Sequence, residues 1–499
     1  MMNGKSTGSA AGGSGSDSFD LGVYLSRSVE RIAKEIFRAS LSDPATSLFM
    51  SRYIKHAKKA SALRLEAERR GRHIPPFLIA SISEQCNLHC AGCYARAVDQ
   101  CSDAAGDCHG SCSQSGGLSQ IPDAGNVKGA AETYGTDGGE CSDDTLVVSD
   151  AIREASVTKH NMNDNSDAAL AVCETADGGI HGEYITSDTP CMADAASETG
   201  SNNSSEVRNA AVTELPAARW DSIFDEAQQL GIAFIFLAGG EPMFRPDILE
   251  AAGRHRKIIF PVITNGTMFT ESIMTLLQRS PNLMPVISIE GGRTATDLRR
   301  GGGMYDRIMA AMDRLKKQNR IFGVSITVQK GNMTEVMSDT FLDDLRSRGC
   351  RAVFFIEYVP VSPETAHLAP DDLDREYMSV RLAELRHNKE HTAETLHEPQ
   401  GSTANSSEMI YIAFPGDEKH FGGCLAAGRG FFHISHGGEV QPCPFSPYSD
   451  TDLREASLAE ALDSPLFRKL GESGLLGEEH QGGCALYGRD REVKEMAGK

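Results

Sequence analysis

Six short apolar runs, rich in β-branched and aromatic residues, recur along this chain with helical patterns between them. They are 77–83, 234–240, 258–266, 284–291, 322–329 and 352–360. Between them, stretches such as 271–280 and 305–318 carry apolar residues at helical spacing. Strands that alternate with helices form parallel sheets with right-handed connections. A complete barrel needs eight strands, so six predict an α/β fold built as an open, partial (β/α)6 barrel resembling a TIM barrel.

One acidic segment interrupts this pattern between the first and second runs. Residues 99–215 hold 21 Asp or Glu but only 4 Lys or Arg, a net charge of −17 in a chain that totals −20. Apolar residues are too sparse there to offset the entropy lost on ordering. We therefore predict a disordered insertion at 100–212, which is tolerable because loop-closure entropy grows only logarithmically with length. A helix at 214–232 can then supply the first crossover.

The remaining composition divides the chain into segments. We predict a disordered tail, N-terminal helices, the barrel core with its insertion, a helical linker and a small cysteine-bearing domain, at 1–18, 19–74, 75–360, 361–409 and 410–490. The absence of a basic patch argues against nucleic-acid binding. No apolar run is long enough to span a membrane. The N-terminus has no apolar core typical of a secretory signal, so we expect a cytoplasmic protein.

Three cysteines, Cys86, Cys90 and Cys93, follow the first predicted strand directly. In a cytosolic protein, clustered cysteines are more often metal or redox ligands than disulfides. Thiolates bind iron–sulfur clusters or zinc, and zinc sites usually pair two C-x2-C units. No matched fourth cysteine lies nearby, so a four-iron cluster held by these three would keep one iron open. A zinc site or a purely structural role is the alternative.

The C-x3-C-x2-C spacing after a first strand, with Tyr94 following the third cysteine, resembles the signature of the radical S-adenosylmethionine superfamily. In that family the open iron of a [4Fe–4S] cluster binds the amino and carboxylate groups of S-adenosylmethionine. An electron from the cluster cleaves the molecule to methionine and a 5′-deoxyadenosyl radical, which abstracts hydrogen from a substrate. The resemblance covers residues 75–360 apart from the insertion. It implies a low-potential reductase as partner, such as ferredoxin or flavodoxin.

Other positions that resemble the family's S-adenosylmethionine-binding motifs lie at the ends of predicted strands, where barrel sites form. Glycines allow close backbone approach, and Glu241 could accept a hydrogen bond from an ammonium group. The positions are Gly239, Gly240, Glu241 and Pro242, then Asn265, Ser288, Glu290, Arg299 or Arg300, and residues 359–360 beside the adenine. The alternatives are an ordinary turn at 239–242, a solvated strand end at 288–290, and arginines that face water.

A second cysteine region contains Cys424, Cys443 and Cys484. Its Gly-x4-Cys pattern predicts a hairpin with a turn at 436–438. The region resembles the SPASM and twitch extensions of the same superfamily, and three cysteines favour the shorter twitch type with one auxiliary [4Fe–4S] cluster. The fourth ligand stays open among His433, His436, His480, Cys350 and substrate, and three isolated structural cysteines are the alternative. We interpret Cys101, Cys108 and Cys112 in the acidic segment, beside His109, as incidental rather than a metal site.

The resemblance implies a two-cluster radical enzyme. Because many enzymes with such extensions modify peptides, peptide modification is the leading hypothesis for its reaction. Maturation of a small molecule or cofactor is the runner-up. A non-catalytic electron-transfer or cluster-scaffold protein is an alternative of another class, and it would not need the glycine and strand-end motifs.

Overall fold

A single sheet organises the computed structural model, which describes residues 21–41, 43–95, 213–360, 362–394, 409–414, 422–477 and 484–498. The predicted tail and acidic insertion, with its cysteines, lie outside the described residues, as does His480. The strands are β1 Phe77–Ser83, β2 Phe234–Gly239, β3 Phe260–Thr264, β4 Leu283–Ile289, β5 Phe322–Val328, β6 Cys350–Glu357, β7 Ile410–Phe414, β8 His433–Ile434 and β9 Val440–Gln441.

Helices flank the strands along the chain. Their bounds are α1 Leu21–Ala39, α2 Pro44–Arg69, α3 Ala217–Leu230, α4 Pro246–Arg254, α5 Glu271–Arg279, α6 Arg293–Arg300, α7 Met304–Lys317, α8 Met333–Val336, α9 Asp339–Ser347, α10 Asp372–Glu394, α11 Leu458–Ala461, α12 Pro465–Glu472 and α13 Asp490–Met496. Among the described residues, no helix is both long and apolar enough to cross a bilayer.

The six predicted strands pair side by side in chain order, and every pair from β1 to β6 is parallel. The predicted fold class is therefore confirmed. The crossover from β1 to β2 ends with α3, as the helical pattern at 214–232 predicts. Trp220 and Phe224 of α3 are fully buried against the sheet, and Gly231 ends the helix at a φ of 84°, a conformation that favours glycine.

The N-terminal helices cover the amino ends of the strands. Asp43 caps α2 by accepting from the Ala45 amide at 3.1 Å. Phe49, Met50 and Tyr53 of α2 pack in one buried cluster with the first residues of β2 and β7. The Tyr53 hydroxyl donates to the Ala233 carbonyl at 2.8 Å. With one end of the barrel covered, the loops at the carboxyl ends are left to form a site.

The C-terminal hairpin is part of this same sheet. β8 and β9 pair antiparallel, and Gly438 adopts a φ of 102° in the turn, so the predicted hairpin is confirmed. β8 also pairs in parallel with β1, where Ile79 lies opposite His433. At the other edge, β7 pairs with β6. The sheet therefore extends on both sides beyond the six predicted strands.

Candidate functional site

The first cysteine loop begins where β1 ends and is held by α6. The Ala91 amide donates to the Arg299 carbonyl at 3.0 Å, and the Arg299 guanidinium returns a bond to the Ala91 carbonyl at 3.2 Å. Cys86, Cys90 and Cys93 are partly exposed and form no disulfide. Cys93 lies close enough to Cys86 and Cys90 to add to the rise that burial causes in their pKa values. The loop thus brings three thiols close together.

The glycines after β2 allow this loop to pack closely. The Gly240 amide donates to the Ser83 carbonyl, and the Glu241 amide donates to the Gln85 carbonyl, both at 2.7 Å. A Cβ atom at Gly240 would collide with the backbone of residues 84–85, and one at Gly239 with the backbone of Ser83. Gly239 also has a φ of 119°. These two positions therefore require glycine, which is more than an ordinary turn demands.

Glu241 is buried and holds the ends of two strands together. One carboxylate oxygen accepts from the Thr264 hydroxyl at 2.7 Å and the Met243 amide at 3.1 Å, while the other accepts from the Asn265 amide at 2.7 Å. Burial raises the pKa of Glu241, and these donors oppose the shift. A carboxylate offers about four lone-pair sites, so at most one remains for a ligand ammonium.

Glu290, after β4, forms a buried ion pair with two arginines. Its Oε1 accepts from Arg299 at 2.5 Å and from Arg300 at 2.6 Å, and both guanidinium groups are largely buried. The alternative that the arginines face water is therefore wrong. The second oxygen, Oε2, is buried and has no hydrogen-bond partner within the part of the chain that the structure describes. A buried, unpaired carboxylate oxygen is costly, so it marks a position for a ligand donor.

The arginines also set the electrostatics of the cysteine loop. Burial raises the pKa of the Cys90 thiol, while the positive charges of Arg300 and Arg299 oppose that rise. Burial also raises the pKa of Cys86. A thiolate-bound group placed here would therefore have two guanidinium groups close by to offset its negative charge.

The other predicted ligand contacts occupy the same end of the sheet. The Asn265 amide group donates to Asn87 at 2.8 Å and lies 3.9 Å from the Cys86 sulfur. Ser288 is buried and shares a hydrogen bond of 3.0 Å with Ser325 of β5. Pro242 is buried at the start of a short 3-10 turn. Ser288 is thus not a solvated strand end.

The second cysteine group also comes together in space. Cys424 and Cys443 are buried, and Cys484 is partly exposed. A hydrogen bond with the Cys484 thiol, together with burial, raises the pKa of Cys443, and Cys424 lies near enough to add to the shift. The Phe445 amide donates to the Cys443 sulfur at 3.3 Å. Three cysteines separated by 60 residues of sequence thus converge, which argues against isolated structural roles.

Two of the proposed fourth ligands are already committed elsewhere. His433 bonds Ser81 at 2.8 Å through Nε2 and Gln441 at 2.7 Å through Nδ1, and burial lowers its pKa to about 4. Cys350 starts β6, at the opposite end of that strand from the site, and its thiol donates to the Ala352 carbonyl. The prediction that either of these residues is the fourth ligand is therefore corrected. His436 lies 3.6 Å from Glu84.

A buried chain of contacts connects the two cysteine groups. The Tyr94 hydroxyl lies near Ser81 and the Gly239 backbone, and burial raises the pKa of Tyr94 to about 12. Ser81 in turn bonds His433 of the hairpin. The Tyr94 ring packs edge-on against Phe445, with centroids 5.6 Å apart. Tyr94 therefore spans from the first loop to the C-terminal hairpin.

Sequence reasoning missed two residues at the end of β6. Glu357 is buried, pairs with Arg375 at 2.7 Å, and lies near Cys484. Tyr358 is 3% exposed, and its hydroxyl has no partner among the described residues. A Cβ atom at Gly92 would collide with that hydroxyl. The one sequence signal was a glycine between two cysteines of the motif.

These residues fit an iron–sulfur cluster and a polar ligand better than a single ion. In the described ranges, no three His, Cys, Asp or Glu side chains are arranged to hold one metal ion. Thiolates suit iron–sulfur clusters, whose ligands are spaced more widely than those of one ion. The unpaired Glu290 oxygen offers an acceptor for a ligand donor beside the arginines of this loop.

Comparison with known proteins places this geometry in context. Residues 197–341 match the family model described as the radical SAM superfamily. An AdoMet-dependent heme synthase of Methanosarcina barkeri is 26% identical over 293 residues, covering 56% of this chain and 82% of that protein. The mycofactocin maturase MftC of Mycobacterium tuberculosis is 30% identical over 120 residues, covering 23% of this chain and 30% of the maturase. The crystal structure of Streptococcus suis SuiB bound to precursor peptide SuiA aligns with a TM-score of 0.44 at 14% identity, covering 88% and 75% of the two chains.

Proposed function

We propose that this chain, an enzyme whose residues 197–341 match the radical SAM superfamily model, cleaves S-adenosylmethionine at a [4Fe–4S] cluster held by Cys86, Cys90 and Cys93. The observation that carries the proposal is the convergence of three free thiols with the unpaired, buried Glu290 carboxylate oxygen at the carboxyl ends of the strands. When bound and reduced, such a cluster supplies the electron that cleaves S-adenosylmethionine to methionine and a 5′-deoxyadenosyl radical.

The surrounding residues bind and orient the ligand. Gly239 and Gly240 bring the cysteine loop close to the end of β2, and Glu290 Oε2 accepts from a hydroxyl or ammonium group of the ligand. Arg299, already bonded to Glu290 and Thr327, neutralises a ligand carboxylate nearby. Ser288, Asn265, Tyr94 and Pro242 complete the proposed pocket wall. Because these groups are fixed by protein hydrogen bonds beforehand, little reorganisation accompanies binding.

Cys424, Cys443 and Cys484 hold an auxiliary [4Fe–4S] cluster in this proposal. Support comes from their convergence at the hairpin and from the Phe445 amide bond to Cys443. With His433 and Cys350 committed elsewhere, the fourth position is left to His436, His480 or substrate. We keep the predicted segment bounds as part of this proposal, with residues 410–490 as the C-terminal domain that binds the auxiliary cluster. A low-potential reductase such as ferredoxin or flavodoxin supplies the electrons.

Peptide modification is the substrate class that we propose first, because a further relative, the PqqA peptide cyclase of Gluconobacter oxydans, which is 27% identical over 127 residues, acts on a peptide by name. A second candidate is cofactor maturation on a tetrapyrrole. One observation favours it: the match to the heme synthase spans 82% of that protein, whereas the match to the maturase spans 30%. A short precursor-peptide gene beside this gene would favour the first candidate, and anaerobic turnover of an added tetrapyrrole would favour the second.

Anaerobic incubation of the iron-loaded protein with dithionite and S-adenosylmethionine tests the central proposal. We expect 5′-deoxyadenosine and methionine in equal amounts, measured by liquid chromatography. A protein that takes up iron on Cys86, Cys90 and Cys93 but yields no 5′-deoxyadenosine would contradict the enzyme proposal and favour an electron carrier.

A further inference from the structure

The Tyr358 hydroxyl has a position that packing alone does not explain. The residue directly follows β6, is 3% exposed, and its hydroxyl has no hydrogen-bond partner within the described ranges. A buried hydroxyl without a partner costs free energy that a phenylalanine at the same place would avoid. Tyrosine hydroxyls in protein interiors normally find a partner, and the described residues do not supply one here.

The hydroxyl points at the segment between two cysteines of the first loop. It occupies the space where a side chain at Gly92 would lie, since a Cβ atom there would collide with it. Gly92 lies between Cys90 and Cys93, directly before Cys93, and has a φ of 66°. Any larger residue at position 92 would displace the hydroxyl. The glycine thus leaves room for Tyr358 to reach the loop that carries the thiols.

The chemistry of that loop identifies the partner. A phenolic O–H is a donor, and the thiolate and sulfide sulfurs of a cluster bound at Cys90 and Cys93 would carry negative charge and accept hydrogen bonds. We propose that the Tyr358 hydroxyl donates a hydrogen bond to a sulfur of the iron–sulfur cluster at Cys86, Cys90 and Cys93. This inference rests on the proposed function, because it requires that cluster.

Such a bond favours the reduced cluster. Reduction adds negative charge to the sulfurs, so a donor stabilises the reduced form more than the oxidised form and raises the reduction potential. Tyr358 would therefore make the cluster easier to reduce. Its neighbour Glu357 lies near Cys484 instead, so adjacent residues at the end of β6 approach the two cysteine groups separately.

The test is Tyr358→Phe, which removes one oxygen atom and leaves the ring. Anaerobic redox titration is followed by electron paramagnetic resonance, using the signal that changes when S-adenosylmethionine is added, because that signal belongs to the first cluster. At a fixed potential, we expect the ratio of reduced to oxidised cluster to fall roughly three- to tenfold, where tenfold corresponds to about 59 mV for a one-electron couple.

Thermal unfolding gives a second readout. In the metal-free protein, Tyr358→Phe should leave the Tm equal or raise it, because it removes an unpaired hydroxyl. In the iron-loaded protein it should lower the Tm, because it removes a bond. The matched control is Tyr53→Phe, whose hydroxyl bonds Ala233 at the amino end of the strands. That change should lower the Tm in both forms and leave the potential unaltered.

An unchanged potential in an iron-loaded Tyr358→Phe protein would overturn the inference. A shift seen only after S-adenosylmethionine is added would also overturn it, since the hydroxyl would then bind that molecule. If the Tyr358→Phe protein takes up no iron, Gly92→Ala provides the test instead. That change keeps the Tyr358 hydroxyl but displaces it from the loop, so it should also lower the reduction potential. Wild-type protein that binds no iron at the three cysteines would instead refute the proposed function itself.

Discussion

The two cysteine groups differ in what surrounds them. Cys86, Cys90 and Cys93 are partly exposed on a loop beside two buried arginines and an unpaired carboxylate oxygen. Cys424 and Cys443 are buried, and Cys443, which follows the hairpin, lies close to Cys424 and Cys484. The first group is partly exposed and lies beside charged side chains, while two of the three cysteines of the second group are buried. This contrast suits a ligand-binding cluster in the first position and a more protected cluster in the second.

The largest effect is expected from removing the first cysteine group. Replacing Cys86, Cys90 and Cys93 by Ala should abolish 5′-deoxyadenosine formation, because these thiols hold the cleaving cluster in the proposed function, while iron at the second group remains. The assay is chromatography of the products after anaerobic incubation. Cys350→Ala is the matched control, since that buried thiol lies at the amino end of β6, and it should retain both iron and activity. Product formation by the triple variant would refute the assignment.

Removing the second group should have a smaller effect. Wild-type protein reconstituted anaerobically should hold about eight irons as two four-iron clusters, and replacing Cys424, Cys443 and Cys484 by Ala should halve that number. Cleavage of S-adenosylmethionine without substrate should persist, because it needs only the first cluster. Iron content is measured colorimetrically. Four irons in the wild type would contradict the auxiliary cluster, and loss of all iron in the variant would mean that the hairpin chiefly supports folding.

The charged surroundings of the first group can be tested in metal-free protein. Arg300→Met leaves the buried Glu290 carboxylate with one guanidinium instead of two, and breaking a buried ion pair typically costs about 3–5 kcal/mol. We expect the free energy of unfolding to fall by an amount near the lower end of this range, because Arg299 still pairs with Glu290. Arg293→Met, which breaks an exposed pair with Asp306, should cost less than about 1 kcal/mol. Urea denaturation measures the free energy of unfolding of both variants. Equal losses would show that the buried ion pair stabilises the protein no more than the exposed one.

The connection between the regions gives a pH-dependent prediction. Burial lowers the pKa of His433 to about 4, against an ordinary value of about 6.5. The unfolded chain therefore binds a proton more readily, so the free energy of unfolding should fall as the pH drops from about 6.5 toward 4. In His433→Gln that part of the pH dependence should disappear. An unchanged slope in the variant would mean that other groups dominate.

The smallest effect is expected from deleting the acidic segment. β1 and β2 already pair directly, and α3 completes their crossover. Replacing residues 104–211 by a short Gly/Ser linker should therefore leave both clusters and S-adenosylmethionine cleavage nearly unchanged. Loss of iron on deletion, or resistance of this segment to limited proteolysis in the full chain, would contradict the predicted disorder.

Local patterns predicted much of this molecule because they depend on short-range chemistry. Apolar runs predicted β1 to β6, and the Gly-x4-Cys spacing predicted the hairpin turn. The parallel pairing of β8 with β1 was not predictable, since only two residues on each strand pair. The spacing of the cysteines predicted which thiols form the site, but Tyr358 belongs to no sequence motif. Its importance follows from a contact with Gly92, and such long-range contacts leave no periodic signal in one sequence.

The pairing of β8 with β1 also determines when this protein can finish folding during synthesis. Ser81 and His433 are hydrogen-bonded across 352 residues of sequence. At a translation rate of about 5–20 residues per second, the ribosome delivers the hairpin roughly 20–70 s after β1. Until then, the edge of β1 that β8 will cover lacks its partner, and unpaired edges promote aggregation. Expression conditions that slow elongation should therefore lower the yield of native protein.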